Sequence, residues 1–411
     1  MTEAAAAGSG FDNAKARRNA VVLAAAQAIA GASSPINIAV SSLAGAALLT
    51  EHKELATAPV TAFVVGTACG TIPAGLLMRR FGRRIGLMSG MLSGVAGGLI
   101  AAAAMAWGSF AALVLGCFLM GSASAFVQQF RFAAADAATP AFRPKAISWV
   151  LAGGMVSAVI GPQAAIHFGG AVGAAPFAGA YLAAAALLLL GGVLLVPLDA
   201  PPPSVRRDRA VGRPLREIAV QPRFILAVGC GIVTYAMMNL VMTAAPLAMV
   251  YCGHPADAAA LGIQWHVLAM FAPSFVTGGL ITRFGADRVV AAGLLLLIGC
   301  ALVALGGVDL MHFWGALVLL GLGWNLGFIG ASSMVGETYH PEEKERVQSF
   351  NDLLVFGFVA VASLVSGGVL VRGGWDAVNM VVLPTAVTCL VALAWFNVHR
   401  GKAVGPGAGT P

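Results

Sequence analysis

The stretch GLLMRRFGRR, residues 75–84, connects two long apolar segments of the chain, and GGLITRFG, residues 278–285, connects two others. Both contain the tripeptide Arg-Phe-Gly, which recurs after 203 residues. Asp136 and Glu337 each end an apolar segment, and they stand 201 residues apart. The nearly equal spacing predicts that the chain consists of two related halves.

Apolar segments surround these loops and fill nearly all of the 411 residues. About 20 apolar residues in helical form cross the hydrocarbon core of a bilayer, and backbone polar groups in lipid must be paired internally. The sequence therefore predicts an all-α membrane protein with twelve transmembrane helices in two pseudo-symmetric six-helix halves. The predicted helices are 18–48, 57–78, 85–106, 109–136, 146–168, 176–197, 223–250, 257–282, 288–307, 312–337, 347–371 and 375–398.

A hydrophilic connection rich in proline and arginine interrupts the series. It predicts a cytoplasmic linker at 199–222 between an N-terminal half, 1–198, and a C-terminal half, 223–411. No glycine loop for a nucleotide and no catalytic triad is evident, so we expect a chain that is not an enzyme and needs no cofactor.

The distribution of charge sets the expected orientation. Charged residues make up only 10% of the chain, against about 25% in soluble proteins. Of the 24 Lys and Arg residues, only Lys53 and Arg372 fall in loops that we place outside. Because basic loops stay in the cytoplasm, both termini are expected there. We expect a monomer in the inner membrane of a bacterium, with the basic loops serving as topology signals and not as nucleic-acid sites.

The basic loop at 75–84 resembles the signature of the major facilitator superfamily. Helix number, loop charge and duplication are similar to that superfamily over the whole chain. The resemblance implies a secondary transporter that works by alternating access, in which two halves rock about a central site.

Two predicted neighbouring helices carry sulfur and imidazole side chains at matching spacing. Met238 and Met242 lie four residues apart on the seventh helix, and His266 and Met270 repeat that spacing on the eighth. At 1.5 Å per residue, each pair lies about 12–20 Å below the outer end of its helix. Such neutral, soft ligands favour Cu(I) over hard cations. The alternative, that Met residues only pack as adaptable hydrophobes, stays open.

This paired motif also resembles that of CcoA-like copper importers, a branch of the same superfamily that supplies copper for cytochrome oxidase assembly. The resemblance implies import of copper, as Cu(I), with copper as the transported substrate. It also implies accessory metal ligands, for which the candidates are Met237, Cys230 and Cys252. The same branch includes relatives thought to carry riboflavin.

Polar residues inside the predicted helices form a second set of candidates. In the resembled superfamily, helices 1, 4, 7 and 10 line the cavity, which makes five amide side chains candidates for contact with a substrate. They are Gln27, Asn37, Gln129, Asn239 and Asn325. The alternative is interhelical hydrogen bonding, worth about 0.6 kcal/mol per contact on average.

Charged residues near the predicted inner membrane boundary suggest a gate. Arg131 with Asp136, or Glu337 with Lys344 and Arg346, would form ion pairs that break when the halves rock. The alternative is that these charges only extend from helix ends toward water.

Three functions remain open from the sequence. The first is copper import across the bacterial inner membrane. The second is a facilitator for an organic solute such as riboflavin or a drug-like compound. The third is a membrane sensor or assembly subunit without transport.

Overall fold

The computed structural model describes residues 13–139, 142–199 and 212–403. Within these ranges every regular element is helical, which confirms the predicted all-α membrane fold. Half of the predicted linker at 199–222, residues 200–211, lies outside the described residues. The α-helices are α1 (Asn13–Ala30), α2 (Ser33–Leu48), α3 (Ala58–Trp107), α4 (Phe110–Gln128), α5 (Phe130–Asp136), α6 (Arg143–Phe168), α7 (Ala178–Leu194), α8 (Leu215–Ala219), α9 (Pro222–Tyr251), α10 (Ala256–Phe271), α11 (Ser274–Phe284), α12 (Ala286–Leu305), α13 (Leu310–Gly336) and α14 (Lys344–Ala403).

Two of these helices are far longer than one membrane crossing. Helix α3 has 50 residues and α14 has 60, and each is kinked at a glycine of positive φ, Gly82 and Gly374 respectively. A straight helix of 50 residues would be about 75 Å long, more than twice the hydrocarbon thickness.

By length and apolar character, the described residues form eight helices able to cross a membrane, or nine if the broken pair α10 and α11 is one span. If the two arms of α3 and of α14 are counted as separate spans and the shorter helix α7 is added, nine becomes twelve. The number twelve remains a prediction.

The two related loops have the same backbone conformation. Gly82 has φ 81° and ψ 165°, and Gly285 has φ 84° and ψ 153°. This region of backbone space is essentially restricted to glycine. The shared Arg-Phe-Gly therefore ends in a glycine of nearly the same conformation at both places.

Packing divides the chain into two compact units, Met1–Arg206 with Pro255–Leu268, and Arg207–His254 with Ala269–Pro411. In each unit, glycines bring two helices into close contact. A Cβ atom added at Gly97 of α3 would lie 2.6 Å from the carbonyl oxygen of Gly116 on α4. In the second unit, one added at Gly293 of α12 would lie 2.4 Å from the backbone nitrogen of Gly327 on α13. Small residues permit such approach between membrane helices.

Candidate functional site

The four residues predicted to bind a metal are all buried. Met238 and Met242 lie on α9, and His266 and Met270 lie on α10, each with at most 9% of its side chain exposed. His266 belongs to the first unit and the three methionines belong to the second. None of the four side chains therefore lies at the surface of the described residues.

The predicted accessory ligands occupy different surroundings. Cys230 on α9 is buried, and its Sγ lies 3.6 Å from Sγ of Cys389 on α14, beside a cavity of about 560 Å³. Cys252 is exposed just beyond the end of α9, and Met237 is partly buried. The described residues hold no group of three or more His, Cys, Asp or Glu side chains placed to bind a metal ion.

Asn325 on α13 is the centre of a hydrogen-bond network in the second unit. Its Nδ2 donates to the carbonyl oxygen of Met270 at 2.6 Å and to Ser274 Oγ at 2.7 Å. Its Oδ1 accepts from Thr277 Oγ1 at 2.6 Å. These partners flank the break between α10 and α11, where backbone groups lose their helical partners. The structure thus assigns Asn325 to holding this break.

Two further asparagines also bond between helices. Asn239 donates to the carbonyl oxygen of Val359 on α14 at 3.3 Å. Asn37 of α2 is fully buried, with its Nδ2 3.9 Å from Sδ of Met120. One turn along α2, Ser41 Oγ lies 2.9 Å from the hydroxyl of Tyr181. The asparagines thus take part in contacts within a unit, as the interhelical alternative expects.

The two predicted glutamines remain partly exposed. Gln27 lies on α1 and faces α6. A Cβ atom added at Gly153 of α6 would lie only 3.2 Å from Gln27 Cβ, so the two helices are in close contact here. Gln129 stands between α4 and α5, at the point where the fourth span is broken. Among the five amide candidates, these two are partly exposed, whereas the three asparagines are buried.

The acidic residues predicted to form a gate have partners other than the expected ones. Asp136, at the end of α5, pairs with Arg83, which is only 4% exposed. Arg131 is exposed, with its guanidinium 4.8 Å from the ring centre of its neighbour Phe132. The prediction paired Asp136 with Arg131, which is close to it in sequence. In the structure Arg83, which follows the turn at Gly82 on another helix, forms the ion pair with Asp136.

The second unit shows a related departure. Glu337 accepts a 2.8 Å hydrogen bond from Nη2 of Arg223, the second residue of α9, and not from Lys344 or Arg346. The same Arg223 binds Asp287 Oδ2 at 3.1 Å. Each of these ion pairs lies within one unit.

Outside the spans, the second unit has a further ion pair. Glu343 is 1% exposed. It accepts hydrogen bonds from the Arg213 side chain at 2.8 and 3.0 Å and from the backbone N–H of Arg213 at 2.7 Å. The Arg213 side chain and the backbone N–H of His340 lower the pKa of the Glu343 carboxyl to about 2.

Sequence reasoning did not predict that four aromatic side chains of the second unit meet. The ring of Tyr235 on α9 contacts three others, with centroids 5.3 Å from Trp324, 4.9 Å from Phe328 and 5.7 Å from Phe356. Trp324 and Phe328 of α13 stack at 5.4 Å with 18° between their planes. Only the spacing of four residues between these two was visible in the sequence; the other partners lie on α9 and α14. We call these four residues the aromatic cluster.

Comparison with known proteins gives a consistent picture. A model of the Major Facilitator Superfamily matches residues 20–272 and 227–410. The Riboflavin transporter RfnT of Brucella anthropi is 49% identical over 396 residues, covering 95% of this chain and 99% of that protein. The MFS-type transporter YddS of Bacillus subtilis, described as uncharacterized, is 27% identical over 84% of this chain and 83% of its own length.

A solved structure has the same fold. The crystal structure of a mutant of the nucleoside transporter NupG matches with a TM-score of 0.73 over 92% of this chain and 99% of that one. At 11% identity this likeness concerns the fold alone.

The prediction of copper import is wrong. The relative that matches nearly end to end is named for an organic solute, which supports the second hypothesis instead. Buried methionines at four-residue spacing also arise from packing, because Met is an adaptable apolar side chain. The motif at 238–270 was therefore insufficient to identify the solute.

Proposed function

This chain belongs to the major facilitator superfamily, and we propose that it carries riboflavin, or a solute of very similar chemistry, into the cell. It is a multi-pass membrane transporter and not an enzyme. The observation that carries the proposal is the 49% identity to a riboflavin transporter over almost the full length of both chains.

The chemistry of the second unit supports an organic solute of this kind. Riboflavin joins a flat three-ring system to a chain of hydroxyl groups. The flat ring suits aromatic side chains such as those of the aromatic cluster. For the first unit we propose separately that Gln27 and Gln129 donate hydrogen bonds to the solute. Asn37, Asn239 and Asn325 hold their helices in place.

We further propose that transport proceeds by alternating access in a monomer of the bacterial inner membrane, with both termini in the cytoplasm. The ion pairs of Asp136 and Glu337 each join residues of one unit. Pairs of this kind can stay intact when whole halves rock, so they serve as braces within a half.

The test is uptake by vesicles that contain the purified protein. We expect saturable uptake of radiolabelled riboflavin that excess unlabelled riboflavin abolishes, and no uptake of radiolabelled copper above that of empty vesicles. Riboflavin uptake equal to that of empty vesicles would overturn the proposal.

A pair of neighbouring glutamines tests the role of the amides. Replacing Gln129 by Ala removes a neutral hydrogen bond, which is worth about 0.5–1.5 kcal/mol, so KM for riboflavin should rise about 2- to 12-fold. Gln128→Ala is the matched control, because Gln128 is exposed and has no proposed contact with the solute. Equal KM values for the two variants would remove Gln129 from the site.

A further inference from the structure

The aromatic cluster is only partly buried, although it lies far from either end of its helices. Tyr235 is 13 residues, or about 20 Å, from the start of α9, and Trp324 is 14 residues, or about 21 Å, from the start of α13. All four side chains retain some exposed surface. The cluster is thus an aromatic surface near the middle of the spans.

Its polar groups indicate what this surface faces. Tyr and Trp side chains that face lipid concentrate at the two membrane–water interfaces, where their polar atoms reach water. The Trp324 indole N–H is buried and has no hydrogen-bond partner among the described residues. Trp324 therefore lacks the arrangement of an interfacial tryptophan, whose N–H reaches water, and its exposed part is ring surface that a flat solute can cover.

We propose that the aromatic cluster is the platform on which the flat ring system of the transported solute stacks. This inference rests on the proposed function and specifies the part of the solute that the second unit recognises. The nearly parallel rings of Trp324 and Phe328 provide the stacking face, and Tyr235 packs edge-on against both. Such offset and edge-to-face contacts are the arrangements that aromatic rings favour.

The proposal predicts which portion of riboflavin controls affinity. A compound with the three-ring system but without the hydroxylated chain, such as lumichrome, should compete for binding. The isolated sugar alcohol ribitol should not compete at similar concentrations, because it has no ring to stack.

The experiment measures binding to purified protein in detergent, using the fluorescence of riboflavin itself. Stacking on an indole or phenol ring quenches flavin fluorescence, so binding to the wild type should lower the signal. Trp324→Ala should raise Kd roughly 5- to 150-fold, the range expected for losing one stacked ring. Trp324→Phe keeps a smaller ring on which the solute can stack, so its Kd should lie between those of the wild type and Trp324→Ala.

Trp395→Ala is the matched control. Trp395 lies on α14, which also belongs to the second unit, but it is 62% exposed and its ring contacts His399 instead of the aromatic cluster. Its Kd and quenching should equal those of the wild type. Thermal unfolding of every variant establishes that a loss of binding is not a loss of folding.

The outcomes separate this inference from the proposed function. If the wild type takes up riboflavin and folded Trp324→Ala binds it with unchanged Kd and quenching, the stacking platform is wrong and the proposed function stands. If folded Trp324→Ala loses affinity while Trp395→Ala does not, the platform is supported. If the wild type neither binds nor takes up riboflavin, both proposals fail.

Discussion

In the first unit, the turn at Gly82 is followed by Arg83, which pairs with Asp136 at the end of α5. In the second unit, the turn at Gly285 is followed by Ala286, which has no charge. The acids there, Asp287 and Glu337, share an arginine from the start of α9. The glycine turn is therefore nearly the same in both halves, whereas the source of the cation differs.

This difference shows which part of the repeat is under the tighter physical constraint. Few residues other than glycine adopt the conformation of the turn, so the turn is retained. A cation, by contrast, can reach the same acid from any helix that ends nearby. The first unit has one acid for its arginine and the second has two, so loss of one acid should affect the halves unequally.

The largest effect should follow loss of Asp136. Asp136→Asn would remove the carboxylate that the structure pairs with Arg83, which is 4% exposed. An uncompensated buried charge costs about 3–5 kcal/mol, and the 43% exposure of Asp136 places the expected loss of stability near the lower end. Thermal unfolding of the purified protein in detergent measures it.

Loss of either Asp287 or Glu337 should lower the free energy of unfolding by less, about 1 kcal/mol or below, because Arg223 remains paired with the other acid. Asp287→Asn and Glu337→Gln test this, with the exposed Glu51→Gln as a control. Equal destabilisation by Asp136→Asn and Asp287→Asn would break the contrast between the halves.

The next effect concerns the glycine turn that is present in both halves. Gly82→Ala and Gly285→Ala should each destabilise by about 1–3 kcal/mol, because both place a Cβ in a conformation that is strained for other residues. The surrounding space is open at both positions, so strain is the only expected cause. Thermal unfolding measures both variants.

Gly279→Ala is the control for these substitutions. Gly279 lies within helix α11 in open space, where alanine favours the helix by about 0.5–1 kcal/mol. If only one of the two turn variants is destabilised, the turns are not equivalent in energy.

The smallest expected effect is a loss of stability at low pH, caused by one carboxyl group of the second unit. The pKa of Glu343 is lowered to about 2 by its contacts in the folded protein, against about 4.3 in an unfolded chain. A lowered carboxyl pKa stabilises the fold above the unfolded value, and this stabilisation is lost as pH falls from about 4.3 towards 2.

Thermal unfolding of detergent-solubilised protein at a series of pH values over that interval checks this. Glu343→Gln should weaken the dependence on pH, while Glu342→Gln, an exposed neighbour, should leave it unchanged. The same dependence in all three proteins would exclude Glu343 as its source.

Much of the fold could be predicted from local features of the sequence. The apolar segments predicted membrane helices because lipid cannot satisfy backbone polar groups. The Arg-Phe-Gly repeat predicted related halves because its spacing nearly equals that of Asp136 and Glu337. Both features can be found from the order of the residues without knowledge of their contacts.

The functional residues were harder to predict. The methionine and histidine pattern at 238–270 agreed with a copper site, yet the same side chains are buried as packing residues would be. Asn325 was a candidate for substrate contact, and the structure places it at the break between α10 and α11. In both cases the sequence identified unusual residues inside the membrane but not what they contact.

By itself, then, the sequence determined that this chain crosses a membrane many times and that it belongs to the major facilitator superfamily. Tertiary structure alone decided that Arg83 pairs with Asp136, that Arg223 serves two acids, and that aromatic rings of α9, α13 and α14 meet. The physical reason is that these interactions act over different separations along the chain. Transfer into lipid acts on each segment separately, whereas ion pairs and stacked rings exist only after distant segments have packed together.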